Sequence, residues 1–150
     1  MTQALSREQI ELQTGVDRLD RVLRPLGFEY SLGSPGVSSG GPFAVATFRR
    51  GSLEIGVIVR NGSQLGCPNY SVGNGYAGHQ DLIAELGHGS EELLIPGPHL
   101  SYIGKSNLDA FEALGRDLEA YVVPALVKSE HAFEDAVRRA VGAAHKRLGF

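Results

Sequence analysis

The stretch Phe43-Ala-Val-Ala-Thr-Phe-Arg49, Arg50-Gly-Ser52 and Leu53-Glu-Ile-Gly-Val-Ile-Val-Arg60 decides the fold. Leu53, Ile55, Val57 and Val59 recur at every second position, the period of a strand with one buried face. Residues 43–49 are apolar on both faces, as a central strand is. Arg50-Gly51-Ser52 reads as the connecting turn, so the two runs form an antiparallel hairpin. On this reading Ile58 and Phe48 point to the face opposite Leu53 and Val57. That second face is then not cleanly polar, and the 88–104 segment or a second subunit is a candidate cover.

Further strands flank the hairpin. Phe28, Tyr30 and Leu32 alternate with Glu29 and Ser31, and a weaker strand is expected around Asn69-Tyr70-Ser71-Val72. Asn61-Gly62 marks a turn between them. Consecutive strands on short turns favour an antiparallel meander.

Helices occupy both ends. Leu12, Val16, Leu19, Leu23 and Leu26 follow one another at spacings of three and four, one helix face, with Ser6 and Gln9 as a capping box. Arg18, Asp20, Arg21 and Arg24 lie off that stripe and are expected in solvent. A short helix should run from His79 to Leu86 and stop at Gly87. Ser106 should cap a helix carrying Leu108, Phe111, Leu114, Leu118 and Val122, with Asp109 in its first turn and Pro124 kinking or ending it. The last helix, from about Glu130 to Arg147, carries Phe133, Val137, Val141, Ala144 and Leu148 on one stripe. The expected fold is a single α+β domain over residues 1–150. An antiparallel sheet of about four strands should be covered by the N-terminal and C-terminal helices.

Composition narrows the function classes. Residues 1–75 hold seven Lys/Arg and six Asp/Glu, residues 76–150 seven and eleven, so neither half has the basic excess that phosphate neutralisation needs. Nucleic-acid binding is not expected. No segment reaches the roughly 20 apolar residues of a membrane span. Ser6-Arg7-Glu8-Gln9 interrupts any basic-then-apolar leader, so a cytoplasmic protein is expected. Cys67 is the only cysteine, which excludes an intrachain disulfide and a Cys-based zinc site.

The candidate sites lie in loops. Gly33-Ser-Pro-Gly-Val-Ser-Ser-Gly-Gly-Pro42 has the composition of an anion-binding nest, but it lacks the Lys-Ser/Thr pair of a P-loop and leads into a strand. A plain connection between strands has the same composition. Tyr70, Tyr76 and Tyr102, with Asn69, Asn74 and His99, are placed to line a polar-aromatic pocket, although tyrosines of this kind are commonly just half-buried edge residues. The ligand-binding residues expected are therefore Ser38, Ser39, Gly40, Tyr70, Tyr76 and His99. His79, Asp81, Glu85, His88 and His99 lack metal-ligand spacing, because nine residues turn His79 and His88 to opposite sides of a helix. Cys67 has no neighbouring base, and Ser38 and Ser39 lack the frame of a nucleophile elbow. No catalytic residue, metal or cofactor is assigned.

In size and composition the chain is similar to bacterial binding or immunity-type proteins, a likeness of form rather than of motif. The function expected is that of a non-enzymatic, immunity-like interaction domain that uses its acidic helical half, including Asp109, Glu112, Asp117 and Glu119, to meet a basic protein partner. Homo-oligomers are a further expectation. The alternative is a small-molecule or anion-binding protein, an enzyme among them, built on the 33–42 loop and the tyrosines.

Overall fold

The computed structural model describes residues 7–33, 36–38, 41–60, 64–65, 68–73, 75–88 and 107–147. The expectations for Ser6, Ser39, Gly40, Asn61-Gly62, Cys67, Asn74, the 88–104 segment beyond His88, with His99 and Tyr102, Ser106 and Leu148 lie outside the described residues. So do those for the side chains of Ser38, Leu108, Asp109 and Ala144.

Helix α1 (Arg7–Leu23) leads through one 3-10 turn into β1 (Glu29–Leu32). Gly27 makes the reversal at φ +93°, with Pro25 opening that turn. β2 (Gly36–Ser38), β3 (Gly41–Arg50), β4 (Leu53–Arg60), β5 (Gln64–Leu65), β6 (Asn69–Val72) and β7 (Ala77–Gly78) follow. The main path of the sheet is β1-β3-β4-β6-β7, antiparallel at every step, with β2 added beside β3 and β5 beside β4. This is the expected α+β meander. It has more than four strands because the short pieces β2, β5 and β7 extend the ladder.

The hairpin register corrects one expectation. Arg50 pairs with Leu53, so the turn is the two residues Gly51-Ser52, with Gly51 at φ +58°. Phe48 therefore pairs with Ile55 and is fully buried on the core face. A three-residue turn would have put it on the other side, since a one-residue slip reverses every side chain in a strand. Ala44, Ala46, Phe48, Leu53, Ile55, Val57, Val59, Tyr70, Val72 and Ala77 are the described sheet residues buried in the core.

The described helices bury their apolar residues against that face. Leu12, Val16, Leu19 and Leu23 of α1 are buried, as the spacing predicts. α2 (His79–Glu85) buries Leu82 and Ile83, and ends before Gly87 at φ +93°. α3 (Asn107–Asp117) buries Phe111 and Leu114. α5 (Glu130–Arg147) buries Phe133, Ala136, Val137 and Ala140. Its first turn is capped by Ser129, whose Oγ accepts from the Ala132 N–H at 3.1 Å.

Pro124 does not end the chain's helical path. Residues Leu118–Val122 widen into a π turn, and α4 (Val123–Lys128) continues from it. The Val123 N–H reaches back to the Leu118 carbonyl, the five-residue bond of a π turn. Widening makes room for the proline ring, which would clash with the carbonyl four residues earlier in a regular helix. The ring of Tyr121, in the same turn, meets His88 with centroids 4.8 Å apart and so ties α2's end to this turn.

Arg18 also departs from the expectation of a solvated residue. Its guanidinium donates to Glu112 at 2.5 Å and 3.3 Å and lies 3.2 Å from Glu119, clasping α1 to the α3 region. Gly115 makes room for it, because an added Cβ would come within 2.7 Å of the guanidinium. The hydrogen bond from Arg18 holds the Glu112 carboxyl below the usual carboxylate range.

Candidate functional site

The sheet face away from the helices is ordered by the register. One row across it reads Glu29, Arg49, Glu54, Ser71, and the next reads Ser31, Thr47, Gly56, Asn69. Val45 pairs with Ile58 one step further along and adds an apolar band. Charge, neutral polarity and hydrocarbon thus follow one another along the strands.

Gly56 lies near the middle of this face, on a central strand. Its pairing is regular, Thr47 on one side and Asn69 on the other, so it marks no bulge. It is absent from the glycines with positive φ. A Cβ added to it meets nothing within 4 Å among the described residues. Glycine inside a strand costs stability relative to residues with side chains, and its usual reasons are a bulge, a bend or the close approach of a ligand or another backbone. The described structure supplies no bulge and no approaching backbone.

A groove of about 290 Å³ opens over this glycine. Val45 and Thr47 of β3, Glu54 and Ile58 of β4, Asn69 and Ser71 of β6, and Tyr76 line it. No side-chain hydrogen bond joins Thr47, Asn69 or Ser71 to another described residue. Tyr76 is 70% exposed, so its ring stands at the rim. Glu54 accepts from Arg49 Nε at 2.8 Å, which leaves the charged end of the groove balanced.

A second polar pair lies directly behind β6. Tyr70 sits between the groove residues Asn69 and Ser71 but points the other way, into the core. Its hydroxyl is 2.8 Å from His79 Nδ1, and the two rings stack with centroids 5.8 Å apart. His79 Nε2 is buried with no hydrogen-bond partner among the described residues. Burial lowers the His79 pKa to about 4, so the imidazole is neutral near pH 7. β7 links this histidine to the rim, since Tyr76, Ala77, Gly78 and His79 are consecutive.

The expected site residues therefore separate. Tyr76 lines the groove, whereas Tyr70 faces the core behind it. Gly36–Ser38 of the glycine-rich loop pair with β3 as β2, which commits part of that backbone to the sheet. Phe43 lies close over Gly36, where an added Cβ would come within 2.7 Å of its ring. Ser39, Gly40 and His99 lie outside the described residues. The acidic residues also separate: Asp117 is buried, while Glu112 and Glu119 engage Arg18. Among the described residues no group of three or more His, Cys, Asp or Glu side chains is placed to hold a metal ion, and no helix is long and apolar enough to cross a membrane.

A smaller recess of about 270 Å³ lies where α2, α4 and α5 meet. Glu85, Lys128, Phe133 and Arg139 are among its lining residues, and Arg139 donates to Glu85 at 3.1 Å there. Its charged groups are largely occupied with each other.

No protein-family model, curated protein or solved structure matches this chain.

Sequence reasoning passed over Gly56, Thr47 and Ser71. The signal for Gly56 was present, because it is the one residue without a side chain in the otherwise alternating run 53–60.

Proposed function

We propose that this protein is a non-enzymatic binding domain whose ligand seat is the groove over Gly56. The observation that supports it most is the vacant side-chain position at Gly56, ringed by Thr47, Asn69 and Ser71, whose polar groups are not used by other described side chains. Such groups are well placed for a ligand, and a groove of this size suits a small molecule. Tyr76 joins this seat to the loop-based binding site expected from the sequence. The rival reading, a protein partner met by the acidic helical face, draws on Glu112 and Glu119, which remain about half exposed. Their engagement with Arg18 leaves that face less free charge, so the groove is the better-supported site.

A fragment screen by NMR on the full chain tests the proposal. Hits are expected to cluster on the amides of Gly56, Asn69 and Ser71, and to vanish in Gly56→Val, whose Cβ enters the seat with no described residue within 4 Å. Reproducible hits confined to other surfaces, with these amides unmoved, would contradict it.

A further inference from the structure

We propose that the ligand class of the Gly56 seat is a neutral pyranose sugar, an inference that rests on the seat reading above. The groove's electrostatics exclude strongly charged ligands first. Among its described lining residues the one carboxylate, Glu54, is bound to Arg49 at 2.8 Å, so an anion meets a cation that is already engaged, and a cation meets a neutralised acid.

The polar partners then favour alcohols. Thr47 and Ser71 offer hydroxyls, and each hydroxyl both donates and accepts. Asn69 presents an amide with both roles, and the second carboxylate oxygen of Glu54 accepts. A flat heterocycle carries a fixed pattern of donors and acceptors, best matched by rigid amide or guanidinium pairs. Sugar hydroxyls carry no fixed pattern, and hydroxyl side chains answer them in either sense.

The apolar surfaces complete the match. A pyranose ring has a face of C–H groups that packs against an aromatic ring, and Tyr76 offers one at the rim with 70% of its surface exposed. The bare Gly56 backbone admits the ring close to the sheet, and Val45 and Ile58 provide hydrocarbon at the far end of the groove. Both faces of a sugar, hydroxyl and C–H, find partners in this one place.

The test is an NMR titration of the full chain with the methyl glycosides of glucose, galactose and mannose. Adenosine and N-acetylglycinamide serve as neutral probes of other classes. At least one glycoside is expected to shift the Gly56, Asn69 and Ser71 amides, saturating in the millimolar range common for small ligands in open grooves. Tyr76→Ala should weaken that binding by about tenfold, and Gly56→Val should abolish it, with both variants retaining a folded spectrum. If adenosine or N-acetylglycinamide moves these amides and no glycoside does, the sugar assignment is wrong while the seat stands. If no glycoside moves them at 50-fold excess or more over protein, up to about 50 mM, the sugar assignment is likewise overturned, and the fragment screen judges the seat on its own.

Discussion

Gly15→Ala is expected to destabilise the protein by about 2–4 kcal/mol, even though alanine is the better helix former. Gly15 is buried in α1, where an added Cβ would overlap the ring of Phe111 in α3. That ring is 1% exposed and cannot swing into solvent. The methyl group must therefore push α1 and α3 apart, and a close-packed interior resists such a shift. Alanine's gain in helix propensity, about 1 kcal/mol, offsets only part of the cost. Thermal unfolding of a chain this long should show a midpoint lower by roughly 5–12 °C. Shortening the opposing ring in the double variant Gly15→Ala with Phe111→Leu should recover part of the loss relative to Phe111→Leu alone. A single variant as stable as the parent would mean that α1 and α3 do not meet in this way.

The second large effect is acid sensitivity originating at His79. Its pKa is lowered to about 4 by burial, against 6.5 in the unfolded chain. The unfolded state therefore takes up the proton first as the pH falls. The stability contributed by the neutral imidazole is fully present above pH 6.5 and is lost progressively down to about pH 4. Linkage over that window gives a loss of about 2 kcal/mol between pH 7 and pH 5. This range lies above the region where Glu112 contributes, because its lowered carboxyl pKa adds pH dependence only below the ordinary carboxylate value of 4.5. Urea unfolding of the parent and of His79→Gln at both pH values isolates the histidine. The variant should be less stable at pH 7, because the buried Tyr70 hydroxyl loses its 2.8 Å partner, yet its stability should change far less between the two values. Equal pH dependence in both proteins would place the titration elsewhere.

How far the sequence could be read depended on the kind of pattern each residue belongs to. Leu53, Ile55, Val57 and Val59 repeat with period two, and Phe111, Leu114, Leu118 and Val122 with helical spacing, so their burial was legible. Phe48 was misplaced because its face depends on whether the turn is two or three residues long, which periodicity within one strand does not fix. Arg18 looked like a solvated residue because its partners lie about a hundred positions away in the chain. The π turn at Leu118–Val122 arises from a long-range compromise, in which packing keeps Val122 and Leu126 buried on either side of Pro124.

The candidate site was less legible than the fold for a related reason. Loops rich in Gly, Ser and Tyr draw attention, yet the groove is built from the outward positions of β3, β4 and β6. Each of those positions, Thr47, Glu54, Asn69 or Ser71, is individually what a solvated strand face carries. Only the cross-strand register brings them around one glycine.

On the function proposed, Gly56 is kept free for something outside the protein. Urea unfolding of Gly56→Val at pH 7 tests this most directly and needs no ligand. The expected variant is as stable as the parent or up to about 1 kcal/mol more stable, because valine suits a strand and its Cβ meets no described residue within 4 Å there. A loss of more than about 1 kcal/mol would show that the fold itself requires the glycine, and would contradict the claim.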